Sequence, residues 1–197
     1  MLPRSCTPAT RRRAHRAPWP RHDVSPALRR WLTAPGSLTA RLRALGPVDV
    51  LVQHQGTRRL WPAERRALGG LTAGHVREVI LRVEGQPMVW ARSVTSCRSL
   101  RGPWKALKGL GSRPLAELLF SHARVQREPL APHLWRRGGP EQGRARRQWQ
   151  GLPGMRSAAP AITRAPERAR ASVFWHHGQP LRVMEAFSPR VRRHHTP

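Results

Sequence analysis

His75-Val-Arg-Glu-Val-Ile-Leu-Arg-Val-Glu-Gly-Gln-Pro-Met-Val-Trp-Ala-Arg-Ser-Val-Thr95 carries the clearest strand pattern in the chain. Two runs, His75–Val83 and Met88–Thr95, are rich in Val, Ile, Leu and Trp, which are residue types that favour β-strands. The turn between them, Glu84-Gly-Gln-Pro87, has the composition of a tight connection. This stretch therefore predicts two long antiparallel strands joined as a hairpin.

A second hairpin is predicted near the end of the chain, where Ala171–His176 and Pro180–Phe187 flank the turn His177-Gly-Gln179. Connections between the predicted strands are short or pass through small helices, which favours antiparallel pairing. The pattern predicts an α+β fold, an antiparallel sheet with helices packed on one side. The other predicted strands cover 48–53, 57–60 and 124–127, and the helices begin after Ser25, after Ser37, at Pro62, at Pro103 and at Pro114.

The chain is predicted to contain one folded domain, at residues 25–189, with a basic tail at each end. Residues 1–24 are rich in Pro and Arg and lack periodicity, so we expect a disordered tail there. Residues 190–197 are expected to form a second basic tail. Within the domain, Pro, Gly and Arg dominate from about 129 to 168, which predicts a mobile insertion.

Arginine dominates the charge of the chain. Lys and Arg number 37 against 10 Asp and Glu, which gives a formal net charge of +27. Such a balance is one indication of a nucleic-acid partner. Lysine occurs only at Lys105 and Lys108, however, and the arginines are dispersed, as a bias towards Arg would produce. We therefore expect no nucleic-acid partner, and a positive field that attracts small anions.

Signals for membranes, disulfides and cofactors are missing from the sequence. No uninterrupted apolar run approaches the ~20 residues of a membrane-spanning helix, so we expect no membrane partner and a cytoplasmic location. Cys6 and Cys97 are the only cysteines and are expected to be free thiols. The ten His residues show no ligand spacing, and no predicted strand is followed by a Gly-rich phosphate loop. Neither a metal nor a nucleotide cofactor is predicted.

Two charged residues fall on strand faces that should point into the core. Because side chains alternate along a strand, Arg77 lies on the apolar face of 75–83, and Glu185 lies on the apolar face of 180–187. Burying an unpaired charge costs several kcal/mol, so each needs a partner. Either the two pair inside the fold, with each other or with another element, or they line a pocket that binds a carboxylate and a hydroxyl. Glu78, on the other face, is expected to be solvated.

The predicted helix at Pro114 offers a further anion site. Proline at the first helical position leaves the backbone N–H of Leu115 free in the first turn, where the helix dipole favours negative charge. The alternative is a plain helix start with the Leu115 side chain packed in the core.

Six segments of the chain, taken in their order along the sequence, resemble the segments of a known family. They are Trp31-Leu-Thr-Ala-Pro-Gly-Ser-Leu-Thr-Ala-Arg-Leu42, Val76-Arg-Glu-Val-Ile-Leu81, Gly85-Gln-Pro-Met-Val-Trp-Ala-Arg-Ser-Val94, Leu100-Arg-Gly102, Leu110-Gly-Ser-Arg-Pro-Leu115 with Leu119-Phe120, and Gly178-Gln-Pro-Leu-Arg-Val-Met-Glu-Ala-Phe-Ser-Pro189. Together they resemble the chorismate pyruvate-lyases, over about 25–128 and 172–189. The chain departs from that family at Arg168-Ala-Arg-Ala-Ser172, which aligns with its Leu-Trp-x-Arg-Arg-Ser run.

The resemblance implies a monomeric lyase with a six-stranded antiparallel sheet, helices on one side and a buried site under flaps. Its reaction converts chorismate into 4-hydroxybenzoate and pyruvate, the first committed step towards ubiquinone, and needs no cofactor. The substrate contacts of the family fall on Leu38, Arg77, Leu115 and Glu185 of this chain. Arg77 and Glu185 are expected to be the catalytic residues among them.

Two other functions are compatible with the sequence. One is a ligand-binding sensor domain of the same fold type without catalysis, as found in bacterial transcription regulators. Those regulators carry an N-terminal winged-helix domain, for which residues 1–24 are too short. The other is an Arg-rich nucleic-acid-binding protein, which would need its basic residues clustered on one ordered face.

Overall fold

The computed structural model describes residues 24–120, 123–136, 138–155 and 164–194. Within these residues the chain forms seven strands and five α-helices. Strands β1 to β7 span Val48–Arg59, Ala73–Val83, Gln86–Thr95, Gln126–Arg127, Ala131–His133, Arg168–His176 and Gln179–Phe187. Helices α1 to α5 span Pro26–Thr33, Leu38–Arg43, Pro62–Ala67, Leu115–Phe120 and Pro140–Gln150, and short 3-10 helices span Ser99–Arg101, Lys105–Gly109 and Pro189–Arg193.

All strand pairs are antiparallel, in the order β1-β2-β3-β7-β6-β4, with β5 also paired to β6. The predicted α+β class and antiparallel sheet are confirmed, but the strand count is seven and not six. The additional strand arises at one sheet edge, where β4 and β5 pair with different parts of β6. Pro129 lies between them, and a proline has no N–H with which to continue the ladder.

Both predicted hairpins are present and have the same turn. Glu84 and Gly85 have φ values of 50° and 73°, and His177 and Gly178 have φ values of 46° and 72°. Positive φ at both central residues is typical of a type I′ turn, whose twist matches that of the paired strands. The two turns place β2 against β3 and β6 against β7, while β3 and β7 join the hairpins in the middle of the sheet.

The first strand is longer than its sequence pattern indicates. The alternation predicts two pieces, 48–53 and 57–60, whereas β1 is continuous and has an irregular register between Val52 and His54. A bulge of this kind adds a residue to one strand and shifts the alternation of side chains. The period of two is therefore interrupted although the strand is not.

Helices pack on both faces of the sheet, not on one. The predicted caps of α1 and α2 are present, because Ser25 Oγ accepts from Leu28 N at 3.4 Å and Ser37 Oγ accepts from Ala40 N at 3.2 Å. These two helices pack on the inner face, defined as the face that carries Val79, Leu81 and Phe187. Helix α5 packs on the outer face, which carries Ile80, Trp90 and Met184.

Helix α5 lies within 129–168, the segment predicted to be a mobile insertion. Ala145 and Trp149 of this helix are fully buried, and they pack against Ile80 and Trp90 of the sheet. Strand β5 comes from the same segment. The sequence pattern missed these elements because Ala145 and Trp149 are the only buried residues of a helix that is otherwise rich in Arg and Gln. Residues 156–163 lie outside the described residues.

The two predicted basic tails have different outcomes. The N-terminal one, at 1–24, lies outside the described residues except for Val24. The C-terminal one begins as the 3-10 helix Pro189–Arg193, in which Val191 is fully buried against α1. Because Val191 is flanked by arginines, the composition of this segment predicts a solvated tail and does not indicate that one apolar residue anchors it. Across the described ranges, no helix is long and apolar enough to cross a membrane.

Candidate active site

A pocket on the inner face brings together all four residues that the sequence predicts as substrate contacts. Leu38 and Leu115 come from the first positions of α2 and α4, and Arg77 and Glu185 come from β2 and β7. About 560 Å³ of empty space lies between the walls when the open mouth is included. The remaining lining residues are Gly36, Thr39, Val79, Leu81, Ala91, Ser93, Ala116, Leu119, Phe120, Arg127, Phe174 and Val183.

Small residues on β3 make room for this pocket. Ser93 pairs with Arg77 across the sheet, and Ala91 pairs with Glu185. Paired residues of neighbouring strands point to the same face, so β3 presents only short side chains between the two charged residues. The space that larger side chains would fill is left open above the middle of the sheet.

Arg77 is a buried cation that pairs with no carboxylate of the described residues. Its side chain is 2% exposed in the fold, and Nη2 donates to the carbonyl oxygens of Gly111 at 2.8 Å and Arg113 at 3.1 Å. Its Nε has no hydrogen-bond partner among the residues that the structure describes. Removal from water lowers the pKa of Arg77 to about 10, which still leaves the guanidinium charged at neutral pH. The alternative that Arg77 pairs with Glu185 is wrong, since no carboxylate in the described part of the chain forms an ion pair with Arg77.

Glu185 pairs with another element, as the second form of that alternative predicted, and its partner is Arg170, which the sequence pattern did not single out. Arg170 Nε donates to Glu185 Oε2 at 2.6 Å, and the two residues are register partners on β6 and β7. The Arg170 side chain is fully buried, and its Nη1 donates to the carbonyl oxygens of Trp31 at 2.8 Å and Ala34 at 2.9 Å. Arg170 thus connects the end of α1 to the carboxylate in the pocket.

The sequence contains a signal that could have identified Arg170. By alternation, Arg170 shares a face with Ser172 and Phe174 of β6. Phe174 is buried on the inner face, so the same period that singled out Glu185 also turns Arg170 inwards. Arg170 was overlooked because arginines are frequent in the segment that precedes the last hairpin.

The two leucines stand at the beginnings of helices that face the sheet. Leu38 is 4% exposed and belongs to the core cluster that α1 and α2 form on the inner face. Leu115 is half-buried and follows Pro114, so its backbone N–H lies in the first turn of α4. Because Arg77 binds the carbonyl groups of Gly111 and Arg113, it holds the loop that leads into this turn.

Arg127 is a second pocket cation that the sequence analysis missed. It lies on the short strand β4, where no period can be seen, and its side chain is half-buried. Its Nη1 donates to the Gly36 carbonyl at 2.8 Å, its Nε donates to Ser172 Oγ at 3.3 Å, and the guanidinium lies 5.1 Å from the centre of the Phe174 ring. Burial lowers the pKa of Arg127, and the negative charge of Glu185 partly offsets this effect.

The prediction that Glu78 is solvated is wrong. Its side chain is fully buried on the outer face, where it accepts from Arg92 Nη1 at 2.5 Å, from Arg144 Nη2 at 2.9 Å and from Gln148 Nε2 at 2.6 Å. Burial by itself raises the pKa of Glu78. The hydrogen bond from Arg144 and the positive charge of Arg92 lower this pKa by a larger amount, so the net shift is downwards. The error has the same origin as the error about α5, because Arg144 and Gln148 belong to that helix.

In the described ranges, no three His, Cys, Asp or Glu side chains lie close enough together to hold a metal ion. Cys97 is an exposed free thiol, and Cys6 lies outside the described residues.

The model of the chorismate lyase family matches residues 14–192 of this chain. A "probable chorismate pyruvate-lyase" of Azoarcus sp. (strain BH72) is 44% identical over 169 residues, which are 83% of this chain and 85% of the relative. A protein of the same name from Albidiferax ferrireducens is 40% identical over 174 residues and 86% of each chain. "Probable chorismate pyruvate-lyase 1" of Pseudomonas fluorescens (strain Pf0-1) is 37% identical over 86% of each chain.

Solved structures with a similar fold include PhnF from Mycobacterium smegmatis, at 13% identity and a TM-score of 0.49 over 80% of this chain and 65% of that one. Its effector domain alone gives 12% identity and a TM-score of 0.48 over 79% and 90% of the two chains. The family model and the curated relatives do not favour a sensor domain or an Arg-rich nucleic-acid-binding protein. From the match over residues 14–192 and from relatives at 37–44% identity, the chain belongs to the chorismate lyase family.

Proposed function

We propose that this protein is a chorismate pyruvate-lyase, which converts chorismate into 4-hydroxybenzoate and pyruvate in the inner-face pocket. The observation that carries the proposal is Arg77, a buried guanidinium with no carboxylate partner in the described part of the chain. A buried cation without a partner anion is costly unless a ligand supplies that anion. Chorismate carries a carboxylate on its ring that meets this requirement.

Arg77 and the backbone N–H of Leu115 would hold the ring carboxylate. The guanidinium offers Nε, which has no hydrogen-bond partner, and charge-assisted hydrogen bonds to a carboxylate are among the strongest that proteins make. Because Arg77 binds the loop just before α4, its own position and that of the Leu115 amide are coupled. The substrate carboxylate would thus be bound by two donors whose separation is held constant.

Glu185 would face the ring hydroxyl of chorismate. Its Oε2 is engaged by Arg170, and its Oε1 has no hydrogen-bond partner among the residues described, so Oε1 can accept from the substrate. Glu185 would act there either by transferring a proton or by orienting the ring. In either role, the hold of Arg170 on Oε2 keeps the carboxylate in one place, as catalysis by positioning requires.

The chemistry needs little beyond orientation and the exclusion of water. The bond between the ring carbon and the ether oxygen breaks, and the ring carbon that bears the hydroxyl loses its hydrogen as a proton. The electron pair left behind completes the aromatic ring, and the released enolpyruvate takes up a proton to become pyruvate. Leu38 and the other apolar walls would hold the ring in a dry site, where bound groups are well oriented.

The same walls would also bind the flat aromatic product tightly. We therefore expect slow release of 4-hydroxybenzoate and inhibition by it. We further propose that the protein acts as a monomer in the cytoplasm, without a metal or an organic cofactor, at the first committed step towards ubiquinone.

The test is to incubate purified protein with chorismate and to follow 4-hydroxybenzoate by its absorbance. Arg77→Ala should lower kcat/KM by at least about 30-fold, since loss of a buried charge-assisted pair to a carboxylate costs about 2–5 kcal/mol. Circular dichroism and thermal unfolding establish that the variant is folded. Wild-type turnover in folded Arg77→Ala would remove Arg77 from the site, and no 4-hydroxybenzoate from the unaltered protein would refute the proposed function.

A further inference from the structure

The charges around the pocket do not balance. Of the described charged residues, Arg77, Arg127 and Glu185 line the pocket, and Arg170 lies behind Glu185. The ion pair between Arg170 and Glu185 is neutral as a unit. Arg77 and Arg127 therefore give the pocket two excess positive charges. Neither arginine forms an ion pair with a carboxylate in the part of the chain that the structure describes.

Arg127 is held in place without being neutralised. The Gly36 carbonyl and the Ser172 hydroxyl accept from it, and the face of the Phe174 ring lies beneath it. These partners fix the orientation of the guanidinium but contribute only dipoles and a ring quadrupole, not a negative charge. Gly36 and Phe174 themselves line the pocket, so the guanidinium is anchored to the wall of the site.

The two excess cations stand on opposite sides of the pocket. Arg77 lies on β2 and Arg127 on β4, and the order β2-β3-β7-β6-β4 puts four strand spacings between them, or about 19 Å between the backbones. Glu185, on β7, lies in the middle of this span. A ligand that contacts all three residues therefore has an anionic group towards each end and a hydrogen-bond donor between them.

We infer that Arg127 binds the second carboxylate of the substrate, the one on the enolpyruvyl arm that leaves as pyruvate. The inference rests on the proposed function, which supplies a substrate with two carboxylates. Two uncompensated cations match this dianion in number, whereas 4-hydroxybenzoate has one carboxylate and leaves Arg127 without an anion. Burial lowers the pKa of both arginines, and a bound carboxylate would offset that effect.

Arg127 would then distinguish the substrate from the aromatic product. Its contact exists only while the enolpyruvyl arm is attached or pyruvate is still bound, so Arg127 contributes to the binding of chorismate and not to that of 4-hydroxybenzoate. Arg77 differs, because the ring carboxylate is common to substrate and product. The two arginines are thus expected to have separable effects on affinity.

The test compares two stable ligands that differ in one charge, 3-(carboxymethoxy)-4-hydroxybenzoate and 3-methoxy-4-hydroxybenzoate. Calorimetry gives the Kd of each for the wild type, Arg127→Gln, Arg77→Gln and Arg124→Gln, an exposed arginine on the connection before β4 that serves as the control. The wild type and the control should prefer the carboxymethoxy compound by about 10- to 100-fold, the range of a charge-assisted hydrogen bond. Arg127→Gln should abolish this preference, and Arg77→Gln should weaken both ligands while keeping it.

The steady-state experiment is independent of the binding experiment. Arg127→Gln should raise the KM for chorismate by about 10- to 100-fold and change the Ki of 4-hydroxybenzoate by less than about threefold, and Arg127→Lys should recover part of the KM. A charge preference that persists in Arg127→Gln, or a parallel loss of chorismate and 4-hydroxybenzoate affinity, overturns the assignment of Arg127 while lyase activity of the wild type stands. If Arg127→Gln loses the preference for the carboxymethoxy compound but the wild type does not turn over chorismate, the anion site at Arg127 is supported and the proposed reaction is refuted.

Discussion

Replacing Arg170 with methionine tests whether a buried cation positions Glu185. Methionine keeps much of the length and the apolar contacts of the arginine but removes its charge and all its donors. The change leaves Glu185 Oε2 without its partner at 2.6 Å and leaves the Trp31 and Ala34 carbonyls without the Nη1 donor. Arg170 would therefore be a positioning residue, acting on the substrate through Glu185.

The magnitude follows from burial. Removing one partner of a buried ion pair costs about 3–5 kcal/mol. The lower end applies here, because the Glu185 side chain is 16% exposed and water can reach it, and because Arg170 itself has one nitrogen, Nη2, without a partner. About 3 kcal/mol corresponds to a fall in Tm of roughly 6–12 °C for a chain of this size. We also expect kcat to fall by about 10- to 100-fold at temperatures far below the new Tm, because the carboxylate is no longer held.

The assay combines thermal unfolding with initial rates of 4-hydroxybenzoate formation. Arg164→Met is the control, since Arg164 forms only a surface pair with Glu167 at 3.3 Å, a type of contact worth about 0–1 kcal/mol. Arg170→Lys keeps the charge but lacks the planar fork that serves both Glu185 and the two carbonyls, so its kcat should be intermediate. A loss of stability with unchanged kcat would reduce Arg170 to a structural residue, and an unchanged Tm would refute the burial argument as well.

Two further predictions concern the outer face and the absence of a cofactor. Trp149→Ala, in the helix that the sequence did not reveal, should lower the free energy of unfolding by about 3–5 kcal/mol because the side chain is fully buried; denaturant unfolding measures this, and a change below about 1 kcal/mol would show that α5 does not contribute to the core. Activity should survive dialysis against EDTA unchanged, and activity that is lost and then restored by a divalent metal would contradict a cofactor-free lyase.

Alternation of side chains is by itself sufficient to predict that Arg77 and Glu185 point towards the inside of the fold. Side chains alternate along most of β2 and all of β7, because the register of these strands with their neighbours is regular there. A charged residue on an apolar strand face can therefore be identified from the sequence of that one strand. The same signal is present for Arg170 but is hidden by neighbouring arginines.

What the sequence could not reveal depends on contacts between distant segments. The partner of Glu185 lies on another strand, and Arg127 reaches the pocket from a two-residue strand that is too short to show a period. Helix α5 binds the sheet through Trp149 and through polar bonds from Arg144 and Gln148 to Glu78. Hydrophobic periodicity does not detect this helix, because Ala145 and Trp149 are its only buried apolar residues and its other contacts with the sheet are polar.

The neighbouring residues Arg77 and Glu78 illustrate how one strand serves two purposes. Glu78 points to the outer face, where Glu64 and Glu78 meet Arg92 and Arg144, two negative charges against two positive ones. The ion pairs of this network hold α3 and α5 against the sheet. Its four charges sum to zero, so no bound anion is required to neutralise them. Arg77 points to the inner face, where Glu185 is already matched by Arg170 and, of the described pocket residues, Arg77 and Arg127 keep their positive charges unpaired.

The difference between the faces follows from which helices cover them. Helix α5 supplies Arg144 to the outer face, and α3 supplies Glu64. On the inner face, α1 gives Arg170 only the carbonyls of its last turn, and the loop before α4 likewise gives Arg77 only carbonyls. Backbone dipoles orient an arginine but do not neutralise it. Among the described residues, the outer-face network of Glu64, Glu78, Arg92 and Arg144 thus balances its charges, whereas Arg77 and Arg127 on the inner face have no carboxylate partner, which a dianion would supply.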